Sequence, residues 1–308
     1  MTIIDAVIQG IVQGLTEFLP VSSSGHLSIT QHIMGVTEDN LFFNVMLHIG
    51  TLVAVCAFYH KLILRLIKAF FSMLKDIFTG KFRWKEMDED RNMIVMLVIG
   101  LIPLFLLFLP VPGTELKIKD VAELLTKEKY FIFVGMALLV TSLLLLLGSQ
   151  ASRRLAEKNR TDALSVGRTR MSVFDAVVVG LVQCVAAIFP GLSRSGSTLA
   201  AGQLRGVNKQ KALDFTFILA IPSILAAALL EFKDAAEEGI SVEIAPLAVG
   251  MIVAAVIGYL SIVLFKWLLK TDKMIVFILY TAVVGIAVVV IAIIESQTGV
   301  NVFNGAAI

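Results

Sequence analysis

The chain has 308 residues, of which 57% are hydrophobic and 16% are charged, and its formal net charge is +2. Soluble domains are less apolar and carry more charge, so this composition excludes an ordinary soluble domain and indicates an integral membrane protein. The two cysteines, Cys56 and Cys184, fall in apolar segments, which favours buried thiols over a disulfide framework or a metal site. We expect membrane lipids as partners, and no nucleic acid.

Two apolar segments are broken by Pro, Ser and Gly residues and continue as short pieces. The first runs over 3–19 and continues over 26–34, and the second runs over 173–189 and continues over 198–204. The short pieces cannot cross a bilayer, because a spanning helix needs about 20 residues. Non-helical backbone is tolerated at membrane depth only where protein or a water-filled cavity surrounds it. Both segments are therefore predicted to form re-entrant helix–loop–helix hairpins.

Three further apolar segments follow each predicted hairpin. Their lengths approach or exceed that of a spanning helix. We predict six transmembrane helices, at about 43–60, 92–111, 130–149, 213–231, 245–268 and 274–295. The predicted fold is all-α, with six transmembrane helices and two re-entrant hairpins in a single membrane domain that covers 1–308.

An internal repeat relates two halves of the chain, 1–150 and 170–308. When Asp5 is set against Asp175, the stretch D-A-V-I-Q-G-I-V-Q lies over D-A-V-V-V-G-L-V-Q. Each half holds three predicted spans, an odd number, so the two hairpins must enter the membrane from opposite sides. This is an inverted-topology repeat, which places a shared site near the membrane midplane between broken helices.

Lysine and arginine residues are concentrated in two of the predicted connections. Connections 61–91 and 150–172 hold eight and six of them, whereas 112–129 holds four and 232–244 holds one. Because cytoplasmic loops are enriched in Lys and Arg, this bias predicts a multi-pass protein whose N-terminus and C-terminus both lie outside.

The first polar stretch reads Q-G-L-T-E-F-L-P-V-S-S-S-G-H and runs from Gln13 to His26. Ionisable groups at membrane depth are costly, so their default interpretation is functional. Gln13 and Glu17 are four residues apart and share a helix face, and Pro20 ends that helix. The break then contains Ser22, Ser23, Ser24 and Gly25.

The second polar stretch reads P-G-L-S-R-S-G-S-T and runs from Pro190 to Thr198. Backbone N–H groups at a helix start, flanked by hydroxyls, form an anion site, and the planar fork of Arg194 suits bidentate phosphate binding. We predict that the two stretches meet in one site suited to phosphoryl transfer. In that site Glu17 would be a base or acid, His26 a proton shuttle, and one of the serines the nucleophile.

Each of these residues also has a structural interpretation. Glu17 and Arg194 could form an ion pair that only packs helices, and the serines could satisfy backbone groups freed at the helix breaks. His26 could cap a helix. Their occurrence together in two repeat-related hairpins favours the functional interpretation. For His48, in mid-span, packing or hydrogen bonding is favoured over catalysis, and for Asp214 a capping or loop-contact role is favoured.

At these two stretches the chain resembles the bacterial undecaprenyl-diphosphate phosphatase family, of the bacitracin-resistance type. Both motifs are long, and the resemblance extends over nearly the whole chain. It implies hydrolysis of undecaprenyl diphosphate to undecaprenyl phosphate and inorganic phosphate, which recycles the lipid carrier for cell-wall synthesis and confers bacitracin resistance. It also implies a location in the bacterial cytoplasmic membrane, with an active site open to the outer face.

The resemblance assigns roles to individual residues. Glu17 would be the essential carboxylate and Ser23 the proposed nucleophile. His26 would be the acid or base, and Arg194 would grip the diphosphate. Substrate-binding roles would fall to Gln13, Ser22, Ser24, Gly25, Ser193, Ser195, Gly196 and Thr198.

The chain departs from the family pattern at Gln13, where the family often has Glu. This departure weakens any scheme in which two carboxylates hold one metal. The resemblance implies a divalent cation, Mg²⁺ or Ca²⁺, and such ions usually take several oxygen ligands. Because the sequence offers no such cage, a cation bound mainly by the diphosphate, and reaching Glu17 through it, fits better.

Two other functions stay open. A transporter or flippase for a polyprenyl phosphate or another anionic lipid would share the inverted repeat and need Arg194, but would not need Ser23 or His26 as chemical groups. A type-2 phosphatidic-acid phosphatase is suggested by S-S-G-H and S-R-S-G, but the K-x6-R-P motif of that family is absent. The sequence leaves open whether serine or water attacks, the lipid chain length, and whether the protein forms an oligomer.

Overall fold

The computed structural model describes residues 2–35, 41–114, 116–126, 131–162, 165–238 and 243–306, and within them the regular secondary structure is helical apart from two isolated β-bridges. Residues 115, 127–130, 163–164 and 239–242, which fall in predicted connections and at the start of one predicted span, lie outside these ranges. The α-helices are α1 Ile3–Phe18, α2 Ser23–Met34, α3 Leu41–Phe58, α4 His60–Phe78, α5 Glu89–Leu101, α6 Ile118–Thr126, α7 Phe131–Asn159, α8 Val173–Ile188, α9 Arg194–Leu204, α10 Lys209–Glu238, α11 Ile244–Lys270 and α12 Ile275–Thr298. Two 3-10 helices cover Trp84–Glu86 and Ile102–Phe108.

Five helical segments of the described chain are long and apolar enough to cross a membrane: Glu89–Phe108, Phe131–Asn159, Lys209–Leu230, Ile244–Lys270 and Ile275–Thr298. They coincide with five of the six predicted spans. The remaining predicted span, 43–60, coincides with α3, which passes the same test together with α4, and the two helices are bent by 81°. The predicted all-helical class is therefore confirmed, with five candidate membrane spans in the described chain, or six if the bent pair is one span.

Several helix boundaries differ from the hydropathy pattern. Helix α7 continues to Asn159 and α10 begins at Lys209, because the flanking polar residues are still good helix formers. Helix α5 ends at Leu101 and continues as a 3-10 helix that contains Pro103, which lacks the N–H needed for α-helical hydrogen bonding. Region 61–91, predicted only as a connection, contains α4, because its apolar residues recur with helical spacing between the basic ones.

Helices α1 and α8 open the two halves of the chain with the same capping device. The Thr2 hydroxyl accepts a hydrogen bond from the Asp5 N–H at 3.1 Å, and the Asp5 carboxylate accepts one from the Thr2 N–H at 2.9 Å. Ser172 and Asp175 form the same capping box, at 3.2 and 2.9 Å. Each box satisfies N–H groups that a helix start leaves without intrahelical partners.

The second box carries an additional charge contact. The Asp175 side chain is fully buried and accepts hydrogen bonds from the guanidinium of Arg168, at 2.7 and 3.1 Å, and from Arg205 Nε at 3.0 Å. Arg168 lies before α8 and Arg205 lies after α9. The carboxylate therefore ties both ends of the second helix pair together.

A second carboxylate, Asp272, joins α10 and α7 at the turn between α11 and α12. It accepts hydrogen bonds from the buried Lys209 ammonium at 2.5 Å and from Arg153 Nε at 3.1 Å. Partial burial opposes ionisation of Asp272, but the hydrogen bond and charge of Lys209, with those of Arg153, outweigh it and hold the pKa of this carboxyl below its usual range.

Glycines allow the first helix of each half to approach a spanning helix of the other half. Helix α1 lies along α11, and α8 lies along α5 and the 3-10 helix that follows it. A Cβ on Gly10 would lie 2.7 Å from the carbonyl oxygen of Gly250, and a Cβ on Gly180 would lie 3.0 Å from the carbonyl carbon of Gly100. Neither position has room for a methyl group, so small residues set these contacts, as is common between membrane helices.

Candidate active site

The starts of α2 and α9 share the same capping hydrogen bond. Ser22 and Ser193 are the N-caps, and their hydroxyls accept hydrogen bonds from the N–H groups of Gly25 at 3.2 Å and Gly196 at 3.0 Å. Ser22 has a φ angle of 75°, in the left-handed region that is uncommon for a residue other than glycine. Such a conformation persists only where surrounding contacts fix it, so the first break is held by the fold around it.

The two polar stretches lie against each other. The N–H of Gly191 donates to the Ser24 hydroxyl at 3.4 Å, and the Ser195 hydroxyl donates to the carbonyl of Leu19 at 3.3 Å. A Cβ on Gly25 would lie 2.9 Å from the Cα atom of Gly191. Glycine at these positions lets the two turns touch, and the starts of both helices are thereby brought to one site.

The Glu17 carboxylate is the centre of this site, and Glu17 is 4% exposed. Its Oε2 atom accepts hydrogen bonds from the Ser23 hydroxyl at 2.6 Å and from the Gln13 amide at 3.0 Å, and it lies 3.4 Å from His48 Nε2. Its Oε1 atom is bound by the guanidinium of Arg194. A buried charge is tolerated when it is paired and hydrogen-bonded, and these four side chains supply the partners.

Arg194 is the first residue of α9, and its side chain reaches across to the first hairpin. Its Nη2 atom contacts Glu17, whereas its Nη1 atom is buried and has no hydrogen-bond partner among the described residues. An unpaired buried guanidinium nitrogen is costly, and an incoming anion would satisfy it. Arg194 thus has one nitrogen engaged with the carboxylate and one available to a ligand.

A cavity of about 410 Å³ opens over these groups. Its polar end is formed by Glu17, Arg194, His48, Gln183 and the serines of both helix starts. Its walls include apolar residues of the 3-10 helix after α5 and of α10, among them Leu104, Leu107, Phe108, Ile224, Ala227 and Leu230. A polar end with apolar walls suits a ligand that combines an anionic headgroup with a hydrocarbon chain.

His26 is not among the residues that line this cavity. Its Nδ1–H donates to the carbonyl of Ser22 at 2.8 Å, so its Nε2 atom is the acceptor for the Tyr280 hydroxyl, also at 2.8 Å. The two rings are stacked, with centroids 5.5 Å apart. The structure therefore places His26 beside the strained backbone of the first break and not beside the Glu17 carboxylate.

The other predicted binding residues divide into two groups. Ser22, Ser24, Ser193 and Ser195 line the cavity, as does Ser23, the predicted nucleophile. The remaining residues do not line the cavity but form hydrogen bonds to residues that do. Gln13 holds Glu17, while the Thr198 hydroxyl bonds to the Arg194 carbonyl at 2.7 Å and to Thr216 at 3.1 Å.

Three further residues belong to the site but were not predicted as site residues. His48 of α3 donates from Nδ1 to the Asn44 carbonyl at 2.7 Å, which turns Nε2 toward Glu17. Gln183 lines the cavity, and its repeat equivalent is Gln13, so the alignment of the halves was a usable signal for it. Thr141 of α7 accepts a hydrogen bond from the Ser193 N–H at 3.0 Å, a contact without a local sequence signal.

Metal-ligating side chains are not clustered here. In the described ranges, no group of three or more His, Cys, Asp or Glu side chains is placed to hold a metal ion. Both oxygens of Glu17 are already engaged by Arg194, Ser23 and Gln13. The residues present therefore do not fit a divalent cation held by the protein, which would need several free oxygen ligands.

Comparison with known proteins gives a match over most of the chain. Residues 6–287 match the family described as bacitracin resistance protein BacA, a range that includes both polar stretches. A protein of Alkaliphilus metalliredigens named undecaprenyl-diphosphatase is 37% identical over 295 residues, which cover 95% of this chain and 100% of that protein.

Two further relatives carry the same name. The protein of Methanosphaera stadtmanae is 34% identical over 298 residues, covering 96% of this chain and 99% of that protein. The protein of Bacteroides fragilis is 35% identical over 295 residues, covering 94% of this chain and 97% of that protein. The similarity thus extends over nearly the full length of all three relatives.

Proposed function

Because this chain belongs to the family of the bacitracin resistance protein BacA, it hydrolyses undecaprenyl diphosphate to undecaprenyl phosphate, and we propose that it does so around Glu17. The reaction recycles the lipid carrier of cell-wall synthesis and confers bacitracin resistance. One observation carries the proposed location: a buried carboxylate contacts both a serine hydroxyl and a guanidinium at the polar end of an apolar-walled cavity. The diphosphate would occupy that polar end, and the prenyl chain would lie along the apolar walls.

In the proposed first step, Ser23 attacks the terminal phosphorus. Its hydroxyl already donates to Glu17 Oε2 at 2.6 Å, the geometry of a nucleophile beside its general base. The bond from the Ser23 oxygen to phosphorus forms as the bridging oxygen–phosphorus bond breaks. The electron pair leaves with undecaprenyl phosphate, and the serine proton passes to Glu17.

In the proposed second step, water hydrolyses the phosphoserine. A water oxygen attacks the phosphorus, the bond between phosphorus and the Ser23 oxygen breaks, and inorganic phosphate leaves. Before this step Glu17 releases the serine proton to the cavity by way of His48, so the carboxylate is ionised again. It accepts one proton from the attacking water and passes it to the departing Ser23 oxygen, so Glu17 ends the cycle ionised and one proton has been released. The same carboxylate thus acts once on serine and once on water.

Arg194 is proposed to neutralise the diphosphate during both steps. Phosphoryl transfer depends mainly on positioning and on stabilisation of charge at the phosphoryl oxygens. The unpaired Nη1 atom of Arg194 offers a donor for one such oxygen. The backbone N–H groups at the starts of α2 and α9 favour an anion in the same place.

The two histidines near the site are proposed to act differently. His48 faces the cavity with Nε2 at 3.4 Å from Glu17, so it can exchange a proton with the carboxylate and relay it to the cavity. His26 is proposed to act through its bond to the Ser22 carbonyl, which holds the loop that carries Ser23. Tyr280 fixes the His26 ring in that orientation.

A divalent cation is proposed to enter with the substrate. The protein side chains around Glu17 do not form a cage for it, so its ligands would come mainly from the diphosphate. Mg²⁺ or Ca²⁺ would then lower the net charge of the headgroup. Activity measured with and without a chelator, at several substrate concentrations, would show whether the cation changes KM.

We also propose that the two halves form an inverted-topology repeat with re-entrant hairpins. Reciprocal packing supports this: α1 and α3 lie on α11, the second span of the second half, while α8 and α10 lie on α5, the second span of the first half. At the centre, a Cβ on Gly135 or on Gly285 would lie 3.0 Å from the carbonyl oxygen of the other. Such reciprocal contacts are those of a pseudo-twofold axis.

The cavity is proposed to open to the outer face of the bacterial cytoplasmic membrane, with both termini outside. It lies at the Leu104–Phe108 end of the span Glu89–Phe108. The other end of that span follows the basic region 61–91, which the distribution of charges assigns to the inside. The polar site and the basic region are therefore on opposite sides.

Aromatic side chains pack next to Glu17 on a side that does not line the cavity. Phe18, next to Glu17, packs edge-on against Phe217 with centroids 5.4 Å apart, and Phe217 packs against Tyr59 at 6.0 Å. These rings fill the space from the site toward the α3–α4 bend. None of the three rings lines the cavity. Phosphate release distinguishes a phosphatase from a transporter.

The proposed site is tested by phosphate release from undecaprenyl diphosphate in detergent. Ser23→Ala should reduce kcat by about 10³-fold or more. Ser28→Ala, on the same helix but outside the cavity, is the matched control and should be close to wild type. Release that survives in Ser23→Ala but is lost in Arg194→Ala would identify water as the attacking group. Headgroup binding without any release by the wild type would instead support transport.

A further inference from the structure

Helix α4 runs at a steep angle to the helix that precedes it. It follows α3 after Tyr59, and the two helices are bent by 81°. At 1.5 Å per residue, α3 alone is about 27 Å long and comes close to crossing the hydrocarbon core. A helix at 81° to it therefore runs nearly parallel to the membrane plane.

One side of α4 packs on the protein and another side is apolar but uncovered. Leu66 and Met73, seven residues apart, are buried, and α4 packs mainly on α5. Phe70 (41% exposed) and Ile77 (47%) are uncovered next to the buried side. Four further uncovered apolar residues recur at spacings of three, four and seven: Leu64 (55%), Ile67 (47%), Phe71 (64%) and Phe78 (86%). At 100° per residue these four fall within an arc of about 60°.

The third side of α4 is basic. Its cationic residues are Lys61, Arg65, Lys68 and Lys75, which fall within an arc of about 80° next to the uncovered apolar arc. Arg65 Nη2 lies 3.3 Å from Asp90, so its charge is partly matched. The acidic residue of the helix, Asp76, is bound by Arg91 at 2.7 Å and does not offset the lysines.

We propose that α4 lies in the membrane interface and binds the headgroups of anionic phospholipids. Its uncovered apolar side would enter the acyl-chain region, and its three lysines would contact the headgroups, as in interfacial amphipathic helices. The bend from a spanning helix places it at the required depth. This inference does not depend on the reaction at Glu17.

The positive charge of α4 favours a lipid surface over a second copy of the chain as its binding partner. A symmetric contact between two copies would bring the same lysines together, and like charges at an interface are unfavourable. Anionic headgroups instead complement them. The basic region 61–91 is also the part of the chain that the charge bias assigns to the cytoplasmic side, where anionic lipids give a negative surface potential.

The depth of α4 is tested with single cysteines introduced in a Cys56→Ala, Cys184→Ala background. The variants Phe71→Cys and Ser72→Cys place a fluorescent label on the apolar and polar sides of adjacent residues. In phosphatidylcholine vesicles that contain phosphatidylglycerol, the label at 71 should be quenched by a lipid-attached quencher and the label at 72 by aqueous iodide. Equal access of iodide to both labels, or quenching at 71 by a label on a second copy, would overturn the proposal.

The lipid preference is tested with two triple variants of equal charge change. Lys61→Gln, Lys68→Gln, Lys75→Gln should weaken binding of fluorescent phosphatidylglycerol by at least about tenfold, since each lysine near an anionic surface is worth about fivefold. The control, Arg154→Gln, Lys158→Gln, Arg170→Gln, removes exposed basic residues predicted on the same side. It should weaken binding much less than the α4 variant, because only α4 carries an uncovered apolar side next to its charges. Equal loss in both variants would show a bulk charge effect, and no loss in the α4 variant would contradict headgroup binding. Phosphate release in neutral detergent, compared with wild type, reports whether each variant is folded.

Discussion

The two hairpins share a scaffold and divide the chemistry between them. Both begin with a capping box and end at a proline, and both restart with a serine N-cap and a glycine three residues later. The residues that differ are those with proposed roles in the reaction: Ser23 in the first hairpin occupies the position of Arg194 in the second, and Glu17 occupies that of Ala187. In the proposed reaction, repetition of the backbone supplies two helix starts suited to an anion, and divergence of side chains supplies a base, a nucleophile and a cation.

If only the first hairpin supplies the base, activity should depend on its carboxylate and not on the equivalent residue of the second hairpin. Glu17→Gln should reduce kcat by about 10³-fold, because an amide neither accepts the Ser23 proton nor balances Arg194. Ala187→Ser, at the equivalent position of the second hairpin, is the control and should retain most of the wild-type rate. Steady-state phosphate release measures both. A Glu17→Gln variant with near-normal kcat would remove the base from the proposed reaction.

The second hairpin supplies the cation of the proposed reaction, Arg194, and substitution of this residue tests its role. Arg194→Lys keeps the charge but loses the planar fork that contacts Glu17 with one nitrogen and leaves the other for the substrate. We expect kcat/KM to fall by about 100-fold, with the loss shared between kcat and KM. Arg205→Lys, which removes a guanidinium outside the cavity, is the control for general stability. Equal kcat/KM for Arg194→Lys and wild type would show that a point charge suffices.

The capping boxes should differ in what they contribute to stability. Asp175→Asn should lower the free energy of unfolding by about 2–3 kcal/mol, because it removes a buried charge bonded to Arg168 and Arg205. Asp5→Asn alters only a capping box, so its effect should stay below about 1 kcal/mol. Denaturation in detergent compares the two. Equal losses would mean that the arginine contacts add nothing to the second box.

Asp272, a carboxylate outside both hairpins, should make a pH-dependent contribution to the free energy of unfolding. The pKa of Asp272 is held below its usual range, so the ionised form stabilises the fold at neutral pH, and this stabilisation is lost as pH falls through the lowered pKa. Asp272→Asn should cost about 1–2 kcal/mol at pH 7, allowing for its partial exposure, because it leaves the buried Lys209 ammonium without a charged partner.

The difference between Asp272→Asn and wild type should then shrink below about pH 4. Asparagine tolerates the positive φ of 53° at this residue, so the backbone is not a competing cause. Melting temperatures in detergent across acid and neutral pH measure the difference. A gap that stays constant down to the lowest pH would assign the loss to packing and not to the charge.

Much of the fold could be predicted because its signals are local. Long apolar runs identify spans by length alone, and proline and glycine in the two polar stretches mark the helix breaks. Helix α4 could not be predicted from hydropathy, because its lysines lower the average even though its apolar residues keep helical spacing. Its direction depends on the bend after Tyr59, which is set by packing on α5.

The site was less predictable where it depends on distant contacts. Glu17, Ser23 and Arg194 could be selected because polar groups stand out in apolar surroundings, and the structure brings all three together. The positions of the histidines depend on tertiary packing. His26 turns toward Tyr280, which is 254 residues away, and His48 reaches Glu17 from another helix. No sequence pattern near either histidine indicates these contacts.

In the proposed reaction Ser23 carries the phosphoryl group of a covalent intermediate, beside the Glu17 carboxylate. This proposal is tested most directly by mixing the wild-type protein with undecaprenyl diphosphate, quenching with acid within one turnover, and locating any phosphoryl group by peptide mass spectrometry. We expect a phosphoryl group on Ser23 that appears before free phosphate and is absent in Ser23→Ala. Full turnover with no phosphorylated serine, or a phosphoryl group on another hydroxyl of the two hairpins, would contradict it.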